Sequence, residues 1–230
     1  PAKQDLMNTL APPSAAHPLG TDHLGRDMLA RLAYGARLSL SLAGFCVAAA
    51  MLGGGLLGLL AAAFPGVVDR AVAILTAAIL ALPGLLLILL LSALAPGQAW
   101  ALALGIALTS GVEILRFTRA TARTVLTSPS VEASRMLGFG TAYILRTHVW
   151  PALHRPLATL AAFGIATAIV ALATLGFIGA GFRPPTPEWG AMTAELMPYW
   201  REAPWLILQP ALLIAVTVLG LHLLAGEADR

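Results

Sequence analysis

Two stretches of 27 residues, Leu38–Phe64 and Pro156–Phe182, contain no charged side chain. An apolar helix needs about 20 residues to cross the hydrocarbon of a bilayer, so each run is long enough to be a membrane span. Three further runs fit the same reading, which places spans at about 38–64, 71–95, 97–115, 156–182 and 203–226. With 58% hydrophobic and 11% charged residues and a mean hydropathy of +0.83, the composition is that of a polytopic membrane protein. The expected fold is all-α, a membrane helical bundle. Residues 1–37 read as a solvated, interfacial segment ending in a helix from Asp27 to Arg37, and residues 38–230 as the transmembrane domain.

Between the third and fourth runs lies a polar interruption, residues 116–155, with six arginines (Arg116, Arg119, Arg123, Arg135, Arg146, Arg155) against one acid, Glu132. Arginine near span ends is retained on the cytoplasmic side. The loop is therefore placed inside, the segment before Leu38 outside, and the carboxyl terminus inside. On this topology Arg70, the loop arginines and Arg230 lie inside, while Lys3, Arg26, Arg31, Arg37, Arg183 and Arg201 lie outside, partly neutralised by acids such as Asp22, Asp27 and Glu195. The sequence pI near 9.6 needs no nucleic acid to explain it, because the arginines sit at the ends of apolar runs. Arg116, Arg119 and Arg123 recur as one helical stripe, suited to snorkelling toward lipid headgroups or to pairing with a partner protein.

Within this loop, Ser128-Pro129 reads as a helix cap followed by a first-turn proline, and Gly138 with Gly140 as a stop. A short helix from about Pro129 to Leu137 follows. Ala133, Met136 and Leu137 share one of its faces, and Glu132 and Arg135 another. Two turns of helix need a partner surface. Glu132-Ala133-Ser134, three residues, Gly138, nine residues and His148-Val149-Trp150-Pro151 together resemble the EAA loop of ABC importer permeases. Ser134, His148 and Trp150 depart from the usual EAA…I-x-L-P wording, and the spacing is intact. The segments HPLGTDHLGRD (His17–Asp27) with LARLAYGARLSL (Leu29–Leu40), and GFRPPTPEWGAM (Gly181–Met192), resemble blocks of permeases in the dipeptide, oligopeptide and nickel group.

The resemblance implies a MetI-like, type I importer domain in the bacterial inner membrane. It implies a coupling helix, with Glu132, Ala133, Ser134, Arg135, Met136, Leu137 and Gly138, docked on a cytoplasmic ATPase. It also implies a sibling permease, two ATP-binding cassette subunits that bind ATP and Mg, and an extracytoplasmic substrate-binding protein. Cargo would be peptide or a nickel or metal chelate. Such permeases have a further amino-terminal span, expected upstream of Pro1 or absent.

Smaller features carry their own expectations. The spacing Gly54-x-x-x-Gly58 lets another helix approach closely, with weakened pairing to the sibling permease expected when either is enlarged. Pro83-Gly84 interrupts span two, where the freed carbonyl needs a neighbour or water; it marks either the translocation path or a packing kink. Trp189, Tyr199, Trp200 and Trp205 suit an interfacial aromatic belt. Lys3 is the only lysine and has no phosphate-binding loop around it, so ATP is handled by a separate subunit and no catalytic residue or cofactor is assigned to this chain. The five histidines lack ligand spacing, so no metal site is assigned. Cys46 stands alone in an apolar run. A proton-coupled transporter would want an acid at mid-membrane; Glu113 falls near the inner end of span three, against that alternative. An intramembrane enzyme would want a histidine beside Ser39, Ser41 or Ser92, and none is in register.

Overall fold

The structure, a computed structural model, describes residues 3–228. Residues 3–27 form an irregular cap, with a single isolated bridge between Thr21 and Asp27 as the extended pairing among the described residues. Helix α1 (Met28–Ala63) begins where Asp27 Oδ2 accepts the Ala30 N–H at 2.8 Å. At 36 residues it is about 54 Å long, so it spans the bilayer and still projects beyond it. The interfacial helix Asp27–Arg37 and span one are thus one rod. Arg31, inside this rod, is buried and paired with Asp22 of the cap and with Glu195.

Helices α2 (Val67–Leu80) and α3 (Gly84–Leu94) make up the second crossing and meet at 80°. Pro83 takes an extended conformation ahead of α3 and cannot donate into a continuous ladder. The sequence suggested a kink in one span; the structure has a corner between two half-helices.

Helix α4 (Ala99–Leu126) carries the third crossing well past residue 115 and takes the whole arginine stripe onto a helix. Glu113 stands half-way along this longer helix. A short helix, α5 (Pro129–Met136), lies in the loop. The chain then climbs through α6 (Thr141–Ile144), a π-helical turn (Leu145–Val149) and α7 (Trp150–Phe177) as one rod, Thr141–Phe177. The helix that carries the fourth span therefore starts fifteen residues before Pro156, and the non-helical part of the loop shrinks accordingly. Pro151 sits in the first turn of α7 and Pro156 inside it; the wider turn directly before Pro151 relaxes the ladder that proline interrupts. Gly140, expected to stop a helix, caps the start of α6 with φ −78°.

At the end of the bundle opposite α5, α8 (Trp189–Leu196) lies over the helices, and α9 (Pro204–Ala228) makes the last crossing with Pro210 inside it. Much of its surface, including Leu208, Leu212 and Val216, is exposed, as suits a lipid-facing helix. Arg230 lies outside the described residues.

Helices α1 and α4 run side by side in the same direction. A Cβ on Gly54 would strike the Gly111 carbonyl, and one on Gly58 would come within 2.7 Å of the Leu115 carbonyl. The glycine face is thus used inside this chain, against α4. Ala43, Cys46, Val47, Leu102, Ile106 and Ile169 continue the contact into the main core.

Candidate functional site

Helix α5, at the end of the bundle that carries the loop arginines, is built much as its sequence implies. Glu132 occupies its first turn and Arg135 its last, each complementing the helix dipole. Met136 and Leu137 are 81% and 76% exposed, and Ala133 is exposed beside them. A single residue anchors the opposite face: Val131, with 0% exposure, which the sequence did not mark. Ser128 holds the cap position without capping; its hydroxyl turns back to the Val125 carbonyl at 2.6 Å.

The helix ends at Gly138, with φ +84°. Its N–H bonds the Arg135 carbonyl at 2.9 Å, and the Phe139 N–H bonds the Ser134 carbonyl at 3.1 Å, a left-handed termination that satisfies the last carbonyls. Phe139 and Tyr143 then stack with centroids 4.2 Å apart. Ser134 Oγ lies 3.0 Å from His148 Nε2. His148 belongs to the π-helical turn at the foot of α7, so the exposed helix is bonded directly to a span.

Above it, Asp69 on α2 pairs with Arg119 at 2.5 Å and with Arg123 at 3.5 Å. Two of the three stripe arginines thus tie the inner ends of α2 and α4 together, a role that spacing within one helix could not reveal. Arg116 is exposed.

At the corner between α2 and α3, a groove of about 380 Å³ opens between α3, α4 and α7. Gly84 forms its rim, with Thr109 close enough that a Cβ there would lie 3.2 Å from the Thr109 methyl group. Ser110, Glu113, Thr167 and Thr174 supply most of its polar wall. Gly84 is therefore set at the edge of this groove, with Pro83 next to it in the chain.

The end of the molecule opposite α5 holds a buried charge cluster. Arg26 and Arg31 both reach Asp22, at 2.6 and 2.5 Å, and both reach Glu195 on α8, with 2.5 Å for the Arg31 bond. Asp22 has 0% and Arg31 1% side-chain exposure. Burial pushes the Asp22 carboxyl up, and the Arg26 amide and guanidinium, the Leu24 amide and Arg31 outweigh it, leaving the group below its ordinary value. Glu195 behaves alike: burial raises it, and Arg31 and Arg26 bring it lower still. Glu188, which caps α8 by accepting the Gly190 and Ala191 N–H groups, is raised by burial. Trp189, expected in an interfacial belt, is 2% exposed and donates to the Leu32 carbonyl at 3.1 Å. Among the described residues no group of three histidine, cysteine or acidic side chains could hold a metal ion.

Residues 54–227 match the family model described as "Binding-protein-dependent transport system inner membrane component". The chain is 39% identical over 237 residues to the di/tripeptide transport system permease protein DppC of Pseudomonas aeruginosa, covering all of this chain and 78% of that protein. It is 39% identical over 236 residues to the dipeptide transport system permease protein DppC of Escherichia coli K12, with the same coverage. It is 34% identical over 218 residues to the glutathione transport system permease protein GsiD of Pectobacterium atrosepticum, covering 95% of this chain and 72% of that protein.

Proposed function

The chain belongs to the family of binding-protein-dependent transport system inner membrane components, and we propose that it pairs there with a sibling permease to enclose a path for peptides. It is a multi-pass protein of the bacterial inner membrane and a permease subunit of an ATP-binding-cassette importer. ATP and Mg are handled by two separate cassette subunits on the inside, and cargo is delivered by a binding protein on the outside.

The observation that carries this reading is α5. It offers Ala133, Met136 and Leu137 outward at the end of the molecule that holds the arginines, and Ser134 bonds it to the foot of α7 through His148. A push on α5 by closing cassettes is transmitted to α7, which lines the groove at Gly84 together with α3 and α4. The corner at Pro83-Gly84 lets α3 move against α2 without breaking a continuous hydrogen-bond ladder. Alternating access then amounts to tilting these helices about the glycine-packed pair α1 and α4.

Peptide is preferred to a metal chelate as cargo because the relatives bear peptide and glutathione names. The test is uptake into vesicles holding this chain, its sibling and the cassettes, with binding protein outside and ATP inside. Labelled dipeptide should enter only when ATP and binding protein are both present. Nickel uptake without peptide uptake would reassign the cargo, and uptake driven by a proton gradient without ATP would reject the importer reading for this chain.

A further inference from the structure

The groove between α3, α4 and α7 has one sign of charge. Glu113 is the only ionisable residue among its lining, and the wall around it carries the hydroxyls of Thr109, Ser110, Thr167 and Thr174. Thr109 and Thr174 spend their hydroxyl protons on carbonyls of their own helices. Glu113, Ser110 and Thr167 make no side-chain hydrogen bond or ion pair among the described residues. The carboxylate stands half-way along α4, one helical turn before Arg116, and Arg119 and Arg123 are committed to Asp69. A carboxylate at membrane depth is costly unless it meets a cation or water, and by default it marks a pathway. A groove of about 380 Å³ is at the lower end of the size range of small-ligand sites.

We propose that this groove is a cargo subsite and that the Glu113 carboxylate receives the protonated amino group of the peptide in transit. The assignment rests on the peptide-importer reading above. Dipeptides, tripeptides and glutathione all carry one free α-amino group, protonated at neutral pH, while their side chains differ. A lone carboxylate among hydroxyls takes that shared group and remains indifferent to the rest, which suits a path that follows selection elsewhere. The hydroxyls of Ser110 and Thr167 can accept further N–H bonds from the same ammonium.

The assembled complex tests this with a thiol probe. In a Cys46→Ala background, Ser110→Cys places a thiol one helical turn from Glu113, and its modification by a cationic and by an anionic methanethiosulfonate reagent is timed. The cationic reagent is expected to react faster. Glu113→Gln should lower the cation-to-anion rate ratio about tenfold, the effect of a full charge at short range in a partly hydrated site. Saturating dipeptide, delivered by loaded binding protein, should slow both reagents. Thr167→Cys repeats the measurement from α7 should Ser110→Cys prevent assembly. Peptide uptake should fall in Glu113→Gln and recover in part in Glu113→Asp. Thiols that neither reagent reaches, meaning that a sibling helix or lipid covers the face, would overturn the proposal, as would a ratio unmoved by Glu113→Gln. Absence of peptide uptake by the wild-type complex would instead overturn the peptide reading itself, so the two failures are told apart.

Discussion

Ser134 Oγ and His148 Nε2 stand 3.0 Å apart, and they are two of the three positions at which this loop departs from the usual EAA wording. A family loop with alanine and isoleucine at these positions has no such bond. Here the two polar residues answer each other across 14 positions, joining the foot of α7 to α5. Ser134 also bonds the Ser130 carbonyl at 3.0 Å, which fixes its rotamer toward the histidine.

A bond of this kind contributes about 1 kcal/mol, enough to change how tightly α5 follows α7. Ser134→Ala and His148→Ile should each lower the number of peptides moved per ATP hydrolysed. The double variant should be no worse than the poorer single, since the second change removes nothing that the first has left. Strictly additive losses in a double-mutant cycle would show that the residues act separately.

Gly138 takes φ +84°, and a Cβ there would meet nothing within 4 Å. Substitution therefore strains the backbone without a clash, by about 1–2 kcal/mol for a non-glycine residue. Gly138→Val should reach the membrane yet lose ATPase stimulation by loaded binding protein, and Gly138→Asn, which tolerates this conformation better, should lose less. Glu132→Lys, adding positive charge to a basic loop and opposing the helix dipole, should also reduce stimulation. Wild-type stimulation in all three would mean that coupling bypasses α5.

Enlarging Gly54 or Gly58 collides with α4 backbone, so the damage falls on this chain before it can reach any sibling. Gly54→Leu and Gly58→Leu should lower the yield and thermal stability of the isolated chain. Gly53→Ala, where a Cβ meets nothing within 4 Å, should be neutral or stabilising by up to about 1 kcal/mol through helix propensity. A stable Gly58→Leu chain that fails only in complex formation would return the glycine face to the sibling.

Removing one member of the charge cluster opposite α5 leaves buried charges unpaired, at a cost of about 3–5 kcal/mol. Asp22→Ala and Arg31→Ala should each loosen the cap, read as faster hydrogen exchange in residues 20–35. Asp22 and Glu195 are held below their ordinary values in the folded chain. As acid is added the unfolded chain binds these protons first, so the stabilisation is complete above the ordinary carboxylate range and disappears as pH falls through the lowered values. Glu188, raised by burial, works in the opposite direction and blunts the slope. His23 lies 3.7 Å from Glu195. A melting temperature that rises steadily on acidification below pH 5 would contradict the arrangement.

Topology is checked by labelling. In the Cys46→Ala background, Ser130→Cys should react from the cytoplasmic side and Thr186→Cys from outside. Reaction of both from one side would overturn the placement of α5 beside the cassettes.

Sequence alone determined the fold class, because uncharged runs of 27 residues have few other uses, and it located α5, because a cap, a proline and a glycine are local signals. The left-handed Gly138 was legible for the same reason. Span ends were not. The sequence drew boundaries between Arg37 and Leu38 and between residues 115 and 116, yet helices α1 and α4 run through both, with Asp22, Glu195 and Asp69 arriving from elsewhere to pair Arg31 and Arg119. Which helix used the Gly54–Gly58 face and how sharply Pro83 turned the chain were likewise decided by tertiary structure. Each depends on the position of a second helix, and periodicity within one segment holds no information about that neighbour.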